Sequence, residues 1–102
     1  MSSDHPFNTA RDTPFEAPAR RYDDGQLARL LEISSAVDCE CPNHLAQLVS
    51  RLVAFETYSR DCESQNAEDA AVHAYLYRRT AAAREVMEEA LEELVRFEQI
   101  EI

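Results

Sequence analysis

The chain has 102 residues, one glycine, no tryptophan and no lysine, and its ten arginines face twenty carboxylates for a formal charge of −10 at pH 7. This length allows one small domain, and a single glycine excludes phosphate-cradling and dinucleotide-binding loops, which need several at fixed spacing. The acidity disfavours nucleic acid and anionic membranes, both of which are held through cations.

Residues 1–20 contain no apolar run, and Pro6, Pro14 and Pro18 interrupt them. They read as a flexible lead, with Phe7 and Phe15 as weak anchors. A signal peptide needs roughly 7–15 consecutive apolar residues and a membrane span about 20. The chain offers neither, so a cytoplasmic protein with no membrane contact is expected.

Residues 21–102 read as a single helical domain. Leu27, Leu30, Leu31 and Ile33 mark a short helix over about 24–34, capped by Asp23 or Asp24, whose carboxylate accepts from the first free N–H groups. The period is lost from 34 to 41. Pro42 then suits the first turn of a new helix, where its missing N–H costs nothing. From there Leu45, Leu48, Leu52, Phe55, Ser59 and Cys62 step by threes and fours, the rhythm of helix-on-helix packing. Glu63, Ser64, Gln65 and Asn66 break the pattern.

A second long helix is predicted from about Ala67 to Phe97, with the stripe His73, Leu76, Thr80, Ala83, Met87, Ala90, Leu94 and Phe97. Folding at Gln65 pairs Phe55 with Leu76, Leu52 near Thr80, Leu48 with Ala83 and Leu45 with Met87, large residues meeting small across most of the seam. The expected fold is therefore all-α, a short helix followed by a long antiparallel helical hairpin. Val49, Val53, Ala70, Ala74, Tyr77 and Ala81 lie off this seam yet are apolar or small. They are expected to contact a partner, two hairpins forming a four-helix bundle as a homodimer.

Chemistry is sparse. Three cysteines are an odd number, which argues for reduced thiols rather than a disulfide framework. Cys39, Cys41 and His44 form the one compact ligand cluster, able to hold zinc or another soft divalent metal, though their spacing is not that of a zinc ribbon. The alternative is two cysteines packing a helix entrance, with no cofactor. Asp69 and His73, four apart, form a helix-stabilising pair near Cys62. Glu85, Glu88, Glu89, Glu92 and Glu93 lack the Glu-x-x-His motifs of di-iron bundles and read as a solvated acidic face. Tyr58, Tyr75 and Tyr77 suit either aromatic packing or a ligand pocket. No motif supports catalysis, and the chain is expected not to be an enzyme.

Two stretches, Arg20-Arg21-Tyr22-Asp23-Asp24-Gly25-Gln26-Leu27-Ala28-Arg29-Leu30 and Cys39-Glu40-Cys41-Pro42-Asn43-His44-Leu45, resemble the helical region after the winged helix-turn-helix of certain MerR-like bacterial transcriptional regulators. The stretches Phe55-Glu56-Thr57-Tyr58-Ser59-Arg60-Asp61-Cys62 and Asp69-Ala70-Ala71-Val72-His73-Ala74-Tyr75-Leu76 are similar to the same region, so the resemblance spans about residues 20–100. It implies a non-enzymatic, dimerising regulatory module, with a related regulator as a second partner. Residues 1–20 cannot hold the DNA-reading motif, so DNA binding is not carried over, and nothing here matches a cobalamin domain. The competing expectation is a small metal- or redox-sensing protein using Cys39, Cys41 and His44.

Overall fold

A computed structural model describes residues 14–33 and 39–102. Among the described residues there are three helices and no strand: α1 (Asp24–Glu32), α2 (Cys41–Asp61) and α3 (Ala67–Phe97). None of the three is long and apolar enough to cross a membrane. Phe7, and the expected end of the first helix at Ser34, lie outside the described residues.

Each helix starts where its capping chemistry sits. The Asp23 carboxylate accepts from the Gln26 N–H at 2.8 Å, and the Asp23 N–H donates back to Gln26 Oε1 at 2.9 Å, closing a capping box. Pro42 occupies the first turn of α2. Beside it, Asn43 Nδ2 donates to the Leu31 carbonyl at 2.9 Å, so the start of α2 satisfies a free acceptor at the end of α1. Asn66 caps α3 by accepting from the Asp69 N–H at 2.7 Å, and Glu68 and Asp69 place negative charge at that end of the dipole. At the far end Gln99 takes φ 56°, its N–H donates to Arg96 O at 3.2 Å, and the Ile100 N–H donates to Val95 O at 3.0 Å. This is a Schellman closure in which glutamine stands where glycine is usual.

α2 packs along α3 as an antiparallel pair, and α1 lies on α2. The expected register is corrected. Glu56 meets Arg84 at 2.8 Å and Ser64 meets His73 at 3.2 Å, so Phe55 is not level with Leu76, nor Leu48 with Ala83. The helices are displaced by roughly two turns from a tight fold at Gln65. The cause is the connection: its two ends, Cys62 and Asn66, are both extended. Extended residues advance about 3.3 Å each against 1.5 Å in a helix, so this linker climbs beside the first turns of α3.

The faces are corrected too. Pro42, Ala46, Val49 and Ser59 of α2 and Ala71, Thr80, Ala81, Arg84, Glu88 and Leu91 of α3 are buried, so Ser59 and Thr80 of the expected seam are inside as expected. Of the expected seam, Leu48 is 43% and Phe55 44% exposed, and Ala83, Ala90 and Phe97 are also exposed. Val49 and Ala81, expected to meet a partner, have 0% exposure inside the single chain. Away from the hairpin tip, where Ser59 and Thr80 stay inside, both helices are turned by one residue, about 100°, from the heptad reading. Small residues allow the close approach, and the charged residues in the seam satisfy one another. In an antiparallel pair the same one-residue step swings both stripes to the same side. Leu45, Leu48, Leu52 and Phe55 therefore share one side of the hairpin with Leu76, Ala83, Met87, Ala90 and Leu94.

The other side carries α1 and residues 14–22. There Tyr22, Leu27, Leu30, Ala46, Val49 and Leu91 form the core, with Leu31, Ile33 and Val53, the C-terminal Val95, Ile100 and Ile102, and, from the expected seam, Leu45 and Met87 packed against it. The molecule measures 55 × 22 × 19 Å, about two helix diameters across.

Candidate functional site

The covered side is organised by one arginine. Arg84 is 1% exposed, and all five of its N–H donors are engaged. Nε and Nη2 donate to the two oxygens of Glu56 at 2.8 and 3.1 Å, a bidentate pair, and Nη1 donates to Glu88 Oε1 at 2.8 Å. The remaining donors reach main chain: Nη2 to Pro18 O at 2.6 Å and Nη1 to Ala19 O at 3.3 Å. Glu88, at 0% exposure, spends its other oxygen on the Arg21 N–H at 3.0 Å. The hydrogen bonds of Glu56, then those of Glu88, raise the Arg84 pKa above arginine's ordinary value against the opposing effect of burial. No buried side-chain polar atom among the described residues lacks a partner.

Residues 14–20 of the expected flexible lead are thus docked. Phe15 meets Tyr77 edge to face with ring centroids 5.6 Å apart, and the Arg78 guanidinium lies 5.0 Å over the Phe15 ring. Arg21 reaches Glu92, which also accepts from Arg96 at 2.8 Å, and approaches Glu89 at 3.5 Å. The hydrogen bond to Glu92 raises the Arg21 pKa. The reading of 85–93 as a wholly solvated acidic face is therefore corrected: Glu88 is internal and Glu92 holds the chain's own arginines.

The expected metal ligands do not converge. Cys39 and Cys41 are exposed, and the Cys41 N–H donates to Cys39 Sγ at 3.4 Å. His44 turns to Glu40, with Nε2 3.5 Å from Oε2. His44 stands one turn beyond Cys41, a spacing that makes them neighbours on the helix surface, and Glu40 draws its imidazole instead. Among the described residues no group of three or more His, Cys, Asp and Glu is placed to hold a metal ion. The hydrogen bond to Cys39 raises the Cys41 pKa above the ordinary thiol value.

At the hairpin tip, His73 Nε2 stands 3.7 Å from Asp69 Oδ1 as the spacing expected, while His73 Nδ1 pairs with the Ser64 hydroxyl at 3.2 Å. Asp69 also accepts from the Gln65 N–H at 3.2 Å, so these groups fasten the connection to α3. The cleft beside them, about 470 Å³, is lined by Gln65, Asn66, Glu68, Asp69 and Val72. The tyrosines do not form a common pocket: Tyr77 serves Phe15, and Tyr58 stacks outward on Phe55 at 6.2 Å. Val53 lines a cleft of about 250 Å³ between α1 and α2, and Ala70 and Ala74 are half-buried.

The remaining candidate is the open side of the hairpin. Leu45, Leu48, Leu52, Phe55, Leu76, Ala83, Met87, Ala90 and Leu94 place no charge on it, in a chain where charged residues make up 29%. Among the described residues, Leu45 and Met87 turn partly back against the core that Tyr22 and α1 build, while Leu48, Phe55, Ala83 and Ala90 are exposed. Sequence reasoning found these residues by their period but assigned them to the interior. The chain matches no protein-family model, no curated protein and no solved structure.

Proposed function

We propose that this protein is a non-enzymatic helical interaction module that works by self-association through the open side of its hairpin, two chains forming a four-helix bundle. The observation that carries this reading is an uncharged apolar stripe running along both helices, with Leu48 and Phe55 more than two fifths exposed. Contiguous exposed apolar surface of this kind marks an interface in soluble proteins. A cytoplasmic setting agrees with three free cysteines. Regulation of transcription, with a related regulator as the mixed partner, rests on the resemblance of residues 20–100 to MerR-like proteins.

Light scattering after gel filtration tests the reading. The full chain should elute with about twice its 11.6 kDa mass. Leu48→Asp with Phe55→Asp should return it to one chain's mass with its helical circular dichroism intact. Added salt should tighten the dimer, because it screens repulsion between two chains of charge −10 and takes nothing from an uncharged contact. A monomeric full chain overturns the proposal. If deleting residues 1–13 turns a monomer into a dimer, the occupant of the face is the chain's own N-terminus instead.

A further inference from the structure

The open face also constrains how two copies meet, an inference that rests on the self-association reading above. Two hairpins can stack face to face about a twofold axis in two ways. An axis along the helices sets α2 on the partner's α3. An axis across them sets α2 on α2 and α3 on α3. In both arrangements the touching helices run antiparallel.

Side-chain size separates the two. The exposed part of the α2 stripe is large, Leu48, Leu52 and Phe55, with Leu45 turned partly into the core. On α3 the exposed Ala83 and Ala90 stand between Leu76, Met87 and Leu94, with Met87 partly against the core and Thr80 buried. With α2 on α2, large residues would meet large and hold the backbones apart, while the alanines of the two α3 helices would call for close approach. The hairpins would be wedged open at one side. With α2 on α3, symmetry makes both contacts identical and each sets large against small, as interdigitating layers require.

The register agrees. An axis along the helices leaves heights unchanged, so the partner's α3 stands level with α2 as the chain's own α3 does. The Glu56–Arg84 pair at 2.8 Å fixes that level. Phe55 then falls between the partner's Ala83 and the partner's Met87, and Leu48 falls between the partner's Ala90 and the partner's Leu94. Each knob meets an alanine on one side.

The area suffices. Leu48 and Phe55, at 43% and 44% exposure, with the exposed Ala83 and Ala90 and the partly buried Leu52, Leu76 and Leu94, give the face on the order of 400 Å² of apolar surface. A stable interface buries about 800 Å² per partner, somewhat over half of it apolar. From size alternation, register and area, we infer that the occupant is a second copy of this chain, related by a twofold axis parallel to the helices, with α2 seated on the partner's α3.

Disulfide trapping tests it. In chains carrying Cys39→Ser, Cys41→Ser and Cys62→Ser, an equimolar mixture of Phe55→Cys and Ala83→Cys should give a cross-linked dimer on mild oxidation. Neither alone should, because the two α2 helices lie diagonally, beyond the roughly 7 Å between Cα atoms that a disulfide spans. A mixture of Leu48→Cys and Leu52→Cys serves as the opposite control. Cross-linking in that mixture, or a dimer by light scattering that neither mixture traps, overturns the α2-on-α3 arrangement while leaving self-association standing. A monomer by light scattering overturns both.

Discussion

On one side of the hairpin Arg84 and Glu88 are at most 1% exposed, with every donor and both carboxylate oxygens engaged. On the other, Leu48 and Phe55 stand more than two fifths exposed. Polarity alone would have placed these groups the other way round. A charge can be buried when each of its bonds has a partner, because the cost of burial falls on unpaired groups. An apolar stripe can be outside when a second surface completes it. The interior of this hairpin is chosen by mutual satisfaction and close approach, and hydrophobicity decides what is left for another chain.

The largest test of that contrast is Arg84→Met. It strands Glu56 and Glu88 beneath residues 18–21, and removing one partner of a buried pair costs about 3–5 kcal/mol. Urea unfolding should show that loss, and hydrogen exchange should show the Arg21 amide losing protection with it. An effect below about 1 kcal/mol, the range of exposed pairs, would place the cluster at the surface.

Next comes a matched pair of truncations. Leu91→Ala, at 0% exposure, should cost about 2–5 kcal/mol. Leu48→Ala, made in a Phe55→Asp chain held monomeric, should stay within about 0.5 kcal/mol. Equal losses at the two sites would erase the distinction between the sides.

The smallest effect is alkaline. Burial first, then the charges of Glu92 and Glu88, raise the Tyr22 pKa, so folding favours the neutral phenol. Its contribution is complete below the unfolded value of about 10 and is lost as pH rises through the raised folded value. Tm should fall more steeply above about pH 10 in the native chain than in Tyr22→Phe. Parallel curves would remove Tyr22 from the covered side.

Against these tests, the helices were the legible part. Asp23, Pro42 and Asn66 announce their caps within a few residues, and local chemistry is what a sequence displays. The choice between two apolar stripes was not. Both stripes step by threes and fours, and the one through Val49, Val53, Tyr77 and Ala81 also carries Glu56, Arg84 and Glu88. Opposite charges placed in that stripe on both helices were the available signal, since only a facing pair could tolerate them. The register escaped because Glu63, Ser64, Gln65 and Asn66 read equally well as a tight turn or as an extended climb. Glu40 competing for His44 is likewise a matter of side-chain direction, which spacing does not encode.

Arg84 and Glu88 hold the N-terminal segment by its carbonyls and an amide, groups that every residue carries. Positions 18 and 19 can therefore drift through many side chains over evolutionary time while the docking persists. The record of selection would fall on Glu56, Arg84 and Glu88 instead. Relatives of this chain could share its architecture with little visible likeness in the segment that closes it.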